Sequence, residues 1–478
     1  MRTHLEIPAD GPVTTAYQER EHARVSRELD AESLQVIAGE IPRELHGSFV
    51  RNSPNPQFWP QGRYHWFDGD GMVHGVFFEN GRADYRNRWI RTAGWQAEHD
   101  AGRALWTGIM EPVKPHGGVP LKDTANTSLV VHRDKLLALW WLSGTPYELS
   151  RKDLSTIGPE TFGGKLTGGF AAHPKVDPRT GEMIFFDYSI MRQPFLRYGV
   201  VSADGELVRY EPLEIATPHI QHDCAITERY SILLDLPLGW DPARLKEGKR
   251  RIGFDRESPS RFGILPRMGH ASDVRWFEHD PCYVYHTINA YEAGDEVVLV
   301  ACRVADPIPT DQAQGGVIAR LDFIELVPHL YRWRFNLKTG AVHGERLDDV
   351  ATEFPRVNDT RQGQRLRYSY NPTLAPRADL MFDGLIKYDL ERGTSSRHTY
   401  PKGWYGSEVC FAPRPGATPG GTEEDDGWLI GMLSHAAEDR SEAIIFEARD
   451  ISRGPVCRIA LPQRVPIGFH AAWVPAPT

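Results

Sequence analysis

The chain is a long succession of short β-strand patterns, and this feature limits its fold more than any other. From Gly39 to the C-terminus, runs rich in Val, Ile, Phe, Tyr and Trp alternate with turns that contain Gly, Asn or Asp. Two turns have a strong hairpin signature: ENG between VFF and RADY, and ADGE between LRYGVVS and LVRYE. No strong helical pattern runs over any long stretch after Gly39. The sequence therefore predicts an all-β protein.

The strand patterns come in sets that recur at roughly 40 to 60 residues, the length of a β-propeller blade. Because the sets show no clear sequence repeat, a pair of packed β-sandwich domains is the alternative architecture. The first residues are charged and polar, and we expect them to lead into the fold rather than to join its core. We predict an N-terminal arm over residues 1–38 and a single β-propeller domain over residues 39–478.

Composition argues against several classes of function. The net charge of −9 and the pI near 6.1 leave no basic face for nucleic acid. Five cysteines, an odd number without a CxxC pair, indicate free thiols in a reducing compartment, so we expect a cytoplasmic protein. The N-terminus has no apolar signal region, and no apolar run reaches about 18 residues, so we expect no membrane-spanning segment.

Four histidines lie in separate strand-like segments: His173 in GGFAAHPKVDP, His222 in HIQHDCAITERY, His286 in YVYHTINAYE, and His470 in VPIGFHAAWVP. They have no zinc-finger or HExxH spacing. Any one of the 19 histidines is more often structural than a ligand. If these four imidazoles converge, they form an all-nitrogen site suited to a first-row metal such as Fe(II). If they do not, nothing distinguishes the chain from other all-β proteins.

The segments around these histidines resemble the carotenoid cleavage oxygenases. The resemblance runs from about Gly39 to the C-terminus and rests on eight motifs in the family's order: FDGDGMVHGVFF, KDTANTSLVVH, AHPKVDPRTGE, HDCAIT, HTINAYE, EFPRVND, YGSEVCFAPRP and GFHAAWVP. It implies a seven-bladed β-propeller, with a dome of loops and helices over an Fe(II) on its axis. It also implies cleavage of a conjugated C=C bond with O2 into two carbonyl products. The iron ligands of the family match His173, His222, His286 and His470.

The resemblance further implies glutamates behind the ligands, since a ligating histidine needs an acceptor for its other ring nitrogen. Glu353 in ATEFPRV and Glu408 in YGSEVCF match two of the three family glutamates. The third position, shortly before a Gly-x-Pro-Tyr turn, is Trp141 or Leu142 here, and neither side chain accepts a hydrogen bond. The resemblance therefore implies that His222 is supported by a backbone carbonyl or water instead, or that the iron site is weaker.

Other residues are candidates for contact with the substrate or a membrane. Thr127 in TANTS matches a family threonine beside an open coordination position, with ordinary strand packing as the alternative. Apolar loops around Trp106 with Met110, and around Trp240, are candidate membrane-contacting patches. Aromatic side chains are usually core, but part of one set is expected to line a substrate tunnel. That set comprises Trp66, Phe67, Trp89, Trp95, Trp106, Trp140, Trp141, Phe469 and Trp473.

The substrate is predicted from one segment. Family members that act on stilbenoid phenols carry a lysine directly before the third glutamate, and this position is Trp140 or Trp141 here. A phenol oxygen would thus lack its charged partner, so we expect a carotenoid or apocarotenoid. One alternative is a stilbenoid or phenylpropenoid alkene, as in lignostilbene or isoeugenol cleavage. The other is a family member that is not an oxygenase and that isomerises or only binds its ligand.

Overall fold

The structure, a computed structural model, describes residues 1–6, 15–240, 252–308, 319–321, 324–416 and 423–476. The chain divides into two compact units. Unit 1 comprises Met1–Gly164, His398–Ala417 and Asp425–Thr478, and unit 2 comprises Lys165–Arg397 and Thr418–Glu424. The extent of a single propeller domain over residues 39–478 stays a prediction.

Strands dominate both units, as predicted for an all-β chain. The strands are β1 (Arg2–Glu6), β2 (Arg27–Ala31), β3 (Val36–Gly39), β4 (Gly47–Pro54), β5 (Gly71–Glu79), β6 (Arg82–Trp89), β7 (Ser128–His132), β8 (Lys135–Leu139), β9 (Tyr147–Leu149), β10 (Thr156–Pro159), β11 (Lys175–Val176), β12 (Met183–Tyr188), β13 (Leu196–Val201), β14 (Leu207–Leu213), β15 (Cys224–Ile226), β16 (Tyr230–Asp235), β17 (Leu238–Trp240), β18 (Ile252–Phe254), β19 (Ser260–Pro266), β20 (Arg275–His279), β21 (Tyr283–Ala293), β22 (Glu296–Val304), β23 (Ala319–Leu321), β24 (Ile324–Leu326), β25 (Pro328–Asn336), β26 (Val342–Ala351), β27 (Tyr368–Leu374), β28 (Phe382–Asp389), β29 (Thr394–Thr399), β30 (Trp404–Gly406), β31 (Cys410–Pro413), β32 (Gly427–His435), β33 (Ser441–Glu447), β34 (Cys457–Ala460) and β35 (Ala471–Pro475). Short 3-10 helices lie at Ala16–Gln18, Arg20–His22, Trp66–Asp68, Ala271–Asp273, Asp359–Arg361 and Ile451–Arg453.

The sheets are antiparallel and mostly of four strands, like propeller blades. Unit 2 has sheets in the orders β11-β12-β13-β14, β15-β16-β19-β20 and β21-β22-β25-β26. Unit 1 has β10-β9-β8-β7, the six-stranded β1-β2-β6-β5-β4-β35, and the run β30-β32-β33-β34-β3. Strands β7, β11, β15, β21 and β35 are thus edge strands of their sheets. This matters because the predicted site residues lie at or next to them.

The N-terminal segment contributes more to the fold than the sequence predicted. Strand β2 pairs with β6 inside the six-stranded sheet. Leu29 is only 3% exposed and belongs to the same apolar cluster as Phe49 and Trp428. The expectation that residues 1–38 stay out of the core is therefore wrong for β2, whose apolar side chains are buried between polar neighbours.

Both predicted hairpins are confirmed. The first joins β5 to β6 through Asn80 and Gly81, whose φ values of 51° and 74° match a two-residue turn of the Asn-Gly kind. The second joins β13 to β14, with Val201 paired to Leu207 and Gly205 at a φ of 84°. Turn residues with positive φ thus mark these hairpins in the sequence.

The α-helix of the described part of the chain, α1 (Ala93–Ala101), was not predicted. The Thr92 hydroxyl caps it by accepting the Trp95 N–H at 3.0 Å, and Gly102 ends it in the left-handed region at a φ of 65°. A threonine before and a glycine after a short helical segment are the usual boundary signals. They are detectable in the sequence, but nine residues are too few for a clear helical period.

Each unit has its own apolar core. In unit 1 one cluster draws on strands β4 to β6 and β31 to β34. In unit 2 one cluster joins β21, β22, β25, β26 and β28. All five cysteines are free and buried, as expected for thiols with a packing role.

Candidate metal centre

Unit 2 brings three of the four predicted histidines together. They lie at the edge strands of three sheets that follow one another along the chain. His173 lies two residues before β11, His222 two residues before β15, and His286 within β21. His173 and His286 are buried, whereas His222 is partly exposed. His173 and His222 lie outside the regular ladders and His286 lies at a register shift, so their side chains can meet at one place.

The three imidazoles form a compact cluster with their ring nitrogens facing one another. Nε2 of His222 lies 3.2 Å from Nε2 of His286, and the ring of His173 lies 4.8 Å and 5.0 Å from the other two ring centres. Two nitrogens bound at right angles to one ion at about 2.1 Å are about 3.0 Å apart. The separation of His222 and His286 is therefore that of two ligands of one metal ion, and the donor set fits a first-row metal.

A β-bulge sets the direction of His286. The register between β21 and β22 shifts between Val284 and Thr287, and again between Thr287 and Asn289. A bulge adds one residue to one strand and re-aims the neighbouring side chain. His286 lies inside the first shift, so its direction depends on the irregular register.

Glu353 supports His286 from behind. Its Oε2 accepts a hydrogen bond from Nδ1 of His286 and another from the Phe354 N–H at 2.6 Å. With Nδ1 as the donor, Nε2 is the free ligand atom. Phe354 has a φ of 53° and stacks on the same imidazole with ring centres 5.0 Å apart. The sequence did not single out Phe354, because a positive φ in an aromatic residue has no sequence signature.

Unit 1 holds the fourth histidine together with two other predicted residues. His470 directly precedes β35, and its Nδ1 lies 3.0 Å from Oε1 of Glu408. The other oxygen of Glu408 accepts the Ala471 N–H at 2.6 Å. Glu408 and His470 are both buried. The Glu408–His470 pair repeats the arrangement of Glu353 with His286, although its histidine precedes a strand of a different sheet.

Thr127 lies next to His470 and directly precedes the edge strand β7. Its carbonyl oxygen accepts the His470 N–H at 3.2 Å. Its hydroxyl donates to Oδ1 of Asn126 and accepts the Trp141 N–H, both at 3.0 Å. Thr127 thus lies just before an edge strand, and in other sheets a histidine lies at this kind of position.

The segment that lacks the third glutamate is buried in unit 1. Trp140 and Trp141 are 7% and 6% exposed, and the ring of Trp141 lies 5.2 Å from that of Phe67. Neither indole N–H has a hydrogen-bond partner among the described residues. An indole only donates hydrogen bonds, so Trp141 offers no acceptor to an imidazole.

The predicted aromatic set divides between core and cavity. Trp89 and Trp95 are fully buried in an apolar cluster and are structural. Phe67, Trp106 and Trp140 line a cavity of about 20 Å³, a volume that suits one water molecule. Only part of the set therefore faces open space, and a substrate tunnel lined by these rings stays a prediction.

Both tryptophans of the predicted membrane patches are buried. Trp106 is 6% and Trp240 is 4% exposed, so neither indole is available at the surface. The expectation is wrong for these two side chains, because both pack inside the fold. No helix in the described ranges is long and apolar enough to cross a membrane.

These features define a class of all-β proteins that gather histidines at strand ends into a candidate metal site. The chain belongs to the carotenoid cleavage oxygenases, since the family described as retinal pigment epithelial membrane protein matches residues 22–475. It is similar to carotenoid 9,10(9′,10′)-cleavage dioxygenase 1 of Arabidopsis thaliana, with 39% identity over 92% of this chain and 86% of the relative. The protein is thus an oxidoreductase of the dioxygenase type.

Two solved structures show the same fold. The lignostilbene dioxygenase of Pseudomonas brassicacearum has a TM-score of 0.87 and 29% identity, covering 98% of this chain and all of that chain. The apocarotenoid oxygenase of Synechocystis has a TM-score of 0.82 and 27% identity, covering 95% and 97%. It has been solved with cobalt and with substitutions at a threonine, at a glutamate fourteen residues later and at the tryptophan just before that glutamate. The predicted all-β propeller fold class is confirmed.

Proposed function

We propose that this protein is an Fe(II)-dependent dioxygenase that cleaves a C=C bond of a carotenoid or apocarotenoid with O2 into two carbonyl products. The proposed iron ligands are His173, His222, His286 and His470. When bound, Fe(II) supplies the activation of O2, a reaction that protein side chains do not perform. The chain supplies the ligands, their orientation and a water-poor surrounding for an apolar substrate.

One observation carries the proposal: a buried glutamate holds Nδ1 of a histidine in each unit. Glu353 does so for His286, and Glu408 for His470. A carboxylate at Nδ1 fixes the tautomer that keeps Nε2 unprotonated, and it raises the basicity of that nitrogen. Such pairs are expected of metal ligands.

Thr127 is the proposed residue beside an open coordination position. Its hydroxyl is already engaged with Asn126 and with the Trp141 N–H, so its methyl group is the part left to limit space. A small β-branched side chain at this place would favour small ligands such as O2 over bulky ones.

The position of the missing glutamate is proposed to be Trp141. In the Synechocystis enzyme, a substituted glutamate stands fourteen residues after a substituted threonine and directly after a tryptophan. In this chain the fourteenth residue after Thr127 is Trp141, directly after Trp140. This spacing favours Trp141 over Leu142.

The charges around the small cavity beside Trp140 favour an apolar substrate over a phenol. Lys122 belongs to its lining, but its ammonium lies 2.5 Å from both Asp70 and Glu98. Two carboxylates fully compensate one ammonium, so Lys122 is not an available charge for a phenol oxygen.

The test is iron reconstitution with product analysis. The wild-type protein, loaded with Fe(II) and given O2 and a β-apocarotenal, should yield two carbonyl fragments. The variant His286→Ala should lose iron and activity together, whereas His343→Ala, at an exposed position of β26, should keep both. Normal iron content in His286→Ala would contradict the assignment.

A second candidate substrate class is the stilbenoids and phenylpropenoids. The likeness to a lignostilbene dioxygenase favours it, since that structure has the higher TM-score of the two compared here. The buried indoles of Trp140 and Trp141 argue against it. Turnover of resveratrol or isoeugenol at a higher kcat/KM than a β-apocarotenal would decide for this class.

We also propose peripheral contact with a membrane, which a dissolved polyene substrate would require. Val119 is 47% exposed, and its carbonyl oxygen accepts the Trp106 Nε1–H at 3.1 Å, next to the cavity. Val119→Glu should lower co-flotation with phosphatidylcholine vesicles, whereas Val208→Glu, at an exposed position in unit 2, should not. Buried free thiols at all five cysteines further support a cytoplasmic location.

A further inference from the structure

The carboxylate of Asp223 is a buried junction between three segments of unit 2. Four donors lie within hydrogen-bonding distance of its two oxygens. Oδ1 is 2.6 Å from Nζ of Lys175 and 2.7 Å from the Cys224 N–H nitrogen. Oδ2 is 2.7 Å from the backbone nitrogen and 2.9 Å from the hydroxyl of Thr287. Asp223 is 3% exposed, so water does not replace these contacts.

Each of these segments carries one of the proposed iron ligands in unit 2. Lys175 lies two residues after His173, Asp223 directly follows His222, and Thr287 directly follows His286. One carboxylate therefore connects the three segments that carry these imidazoles: it contacts the Lys175 side chain and the backbone N–H groups of Cys224 and Thr287. The connected residues are 48 and 64 positions apart in the chain, so no local structure imposes these contacts.

Two further contacts tighten the same junction. The Thr287 hydroxyl, whose single proton is shared between Asp223 and a second acceptor, lies 3.0 Å from the carbonyl oxygen of Cys224, and Sγ of Cys224 lies 3.5 Å from the carbonyl oxygen of His173. The Thr287 N–H points to Asp223 where the register of β21 shifts. The carboxylate thus receives a donor that the bulge turns away from the regular ladder.

We propose that Asp223 is a positioning residue for the metal centre, fixing the mutual placement of His173, His222 and His286 without binding the metal itself. A carboxylate has about four lone-pair sites, and the four neighbouring donors occupy them. Asp223 is therefore not a spare ligand. Its effect on the metal acts through the backbone of the ligand segments, as supporting residues around metal sites do. This inference rests on the proposed metal centre.

The experiment measures metal binding in Asp223→Asn. The amide has the size of the carboxylate, but only one of its two polar atoms accepts hydrogen bonds. Its NH2 group would therefore face donors that a carboxylate oxygen accepts from in the wild type. Competition between the protein and a chelator for Co²⁺ gives the affinity, and the visible absorption of bound Co²⁺ reports the ligand geometry. We expect an affinity about 10- to 100-fold lower and a shifted spectrum.

Asp177→Asn is the matched control. Asp177 is as deeply buried, lies just after β11, and accepts hydrogen bonds from Arg179 and Arg267. Neither arginine is next to a proposed ligand in the chain. This variant should lose stability, measured by urea unfolding of the metal-free protein, but should keep the Co²⁺ affinity and spectrum of the wild type.

Lys175→Met provides the test if Asp223→Asn does not fold. It releases only the His173 segment, so we expect a smaller loss of Co²⁺ affinity than for Asp223→Asn. An affinity and spectrum equal to those of Asp177→Asn, in either variant, would overturn the positioning role while leaving the metal centre intact. If the wild type itself binds no Co²⁺ or Fe²⁺, the proposed function fails first.

Discussion

Oε1 of Glu408 lies 3.0 Å from Nδ1 of His470, and its second oxygen holds the backbone of the next residue in the chain, Ala471. One side chain therefore fixes both the ring and the strand start that carries it. Glu353 likewise accepts a hydrogen bond from Nδ1 of His286. Its second hydrogen bond comes from the N–H of Phe354, the residue that follows Glu353 itself. These contacts link ring orientation to backbone position, and their removal should be measurable.

We expect Glu408→Gln to weaken Co²⁺ binding about 10- to 100-fold, because a neutral amide supports the imidazole less and places an NH2 group near a donor. Chelator competition measures the affinity. Glu442→Gln is the control, since Glu442 is equally buried in unit 1 but bonds to Arg458. Equal affinities in the two variants would show that Glu408 does not support a ligand.

Backbone strain at Phe354 predicts a difference between two variants. Both Phe354→Gly and Phe354→Ala lose the ring that stacks on His286, but only glycine adopts a φ of 53° without steric conflict. The glycine variant should therefore be more stable than the alanine variant by about 1 kcal/mol. Urea unfolding of the two metal-free proteins gives this difference, and an alanine variant of equal or higher stability would rule out strain.

Asp123 predicts a pH dependence of stability. Burial raises the pKa of its carboxyl from 3.8 to about 6, against the lowering effect of hydrogen bonds from the Thr145 and Ala125 N–H groups. The folded protein thus holds this proton more tightly than the unfolded chain, so the free energy of unfolding falls as pH rises from about 4 to about 6.

Asp123→Asn removes this titration. Relative to that variant, the wild type should lose roughly 2–3 kcal/mol between pH 4 and pH 7, since one pKa unit is about 1.4 kcal/mol. Urea unfolding at pH 4, 5, 6 and 7 measures the difference. A difference that stays constant over this range would mean that Asp123 ionises normally.

Restoring a carboxylate at Trp141 tests the departure from the family. Trp141→Glu and Trp141→Gln both lose the contact with Phe67 and should be destabilised alike. If a glutamate at this position supports a ligand as the family resemblance implies, the Glu variant should bind Co²⁺ about tenfold more tightly than the Gln variant. Equal affinity would indicate that this chain has reorganised its support for the metal.

The ligand histidines and two glutamates were recognisable because each lies in a short motif of its own. His286 and Glu353 are 67 residues apart, yet each was identified without knowledge of the other. The role of Asp223 could not be recognised from the sequence, although Asp223 directly follows His222. Its partners lie 48 and 64 residues away, and such contacts depend on how sheets pack rather than on any local pattern.

The fold, like the site, was predictable where it depends on local sequence patterns. Alternating apolar patterns and turn residues predicted strands and hairpins, because these depend on neighbours in sequence. The place of β2 in a sheet was missed, since the charged residues of RELDA obscure the buried Leu29. Register shifts such as the one at His286 were also missed, because pairing between strands decides them.

The bulge in β21 separates the ability to fold from the ability to hold a metal. Deleting one residue at the first of the two register shifts would remove that shift, and the alternation of side chains would turn His286 to the opposite face of the sheet. The sheet would gain regularity while the ligand was lost. In this chain, a change of one residue in the length of β21 would thus remove a proposed metal ligand while the sheet around it stays in place.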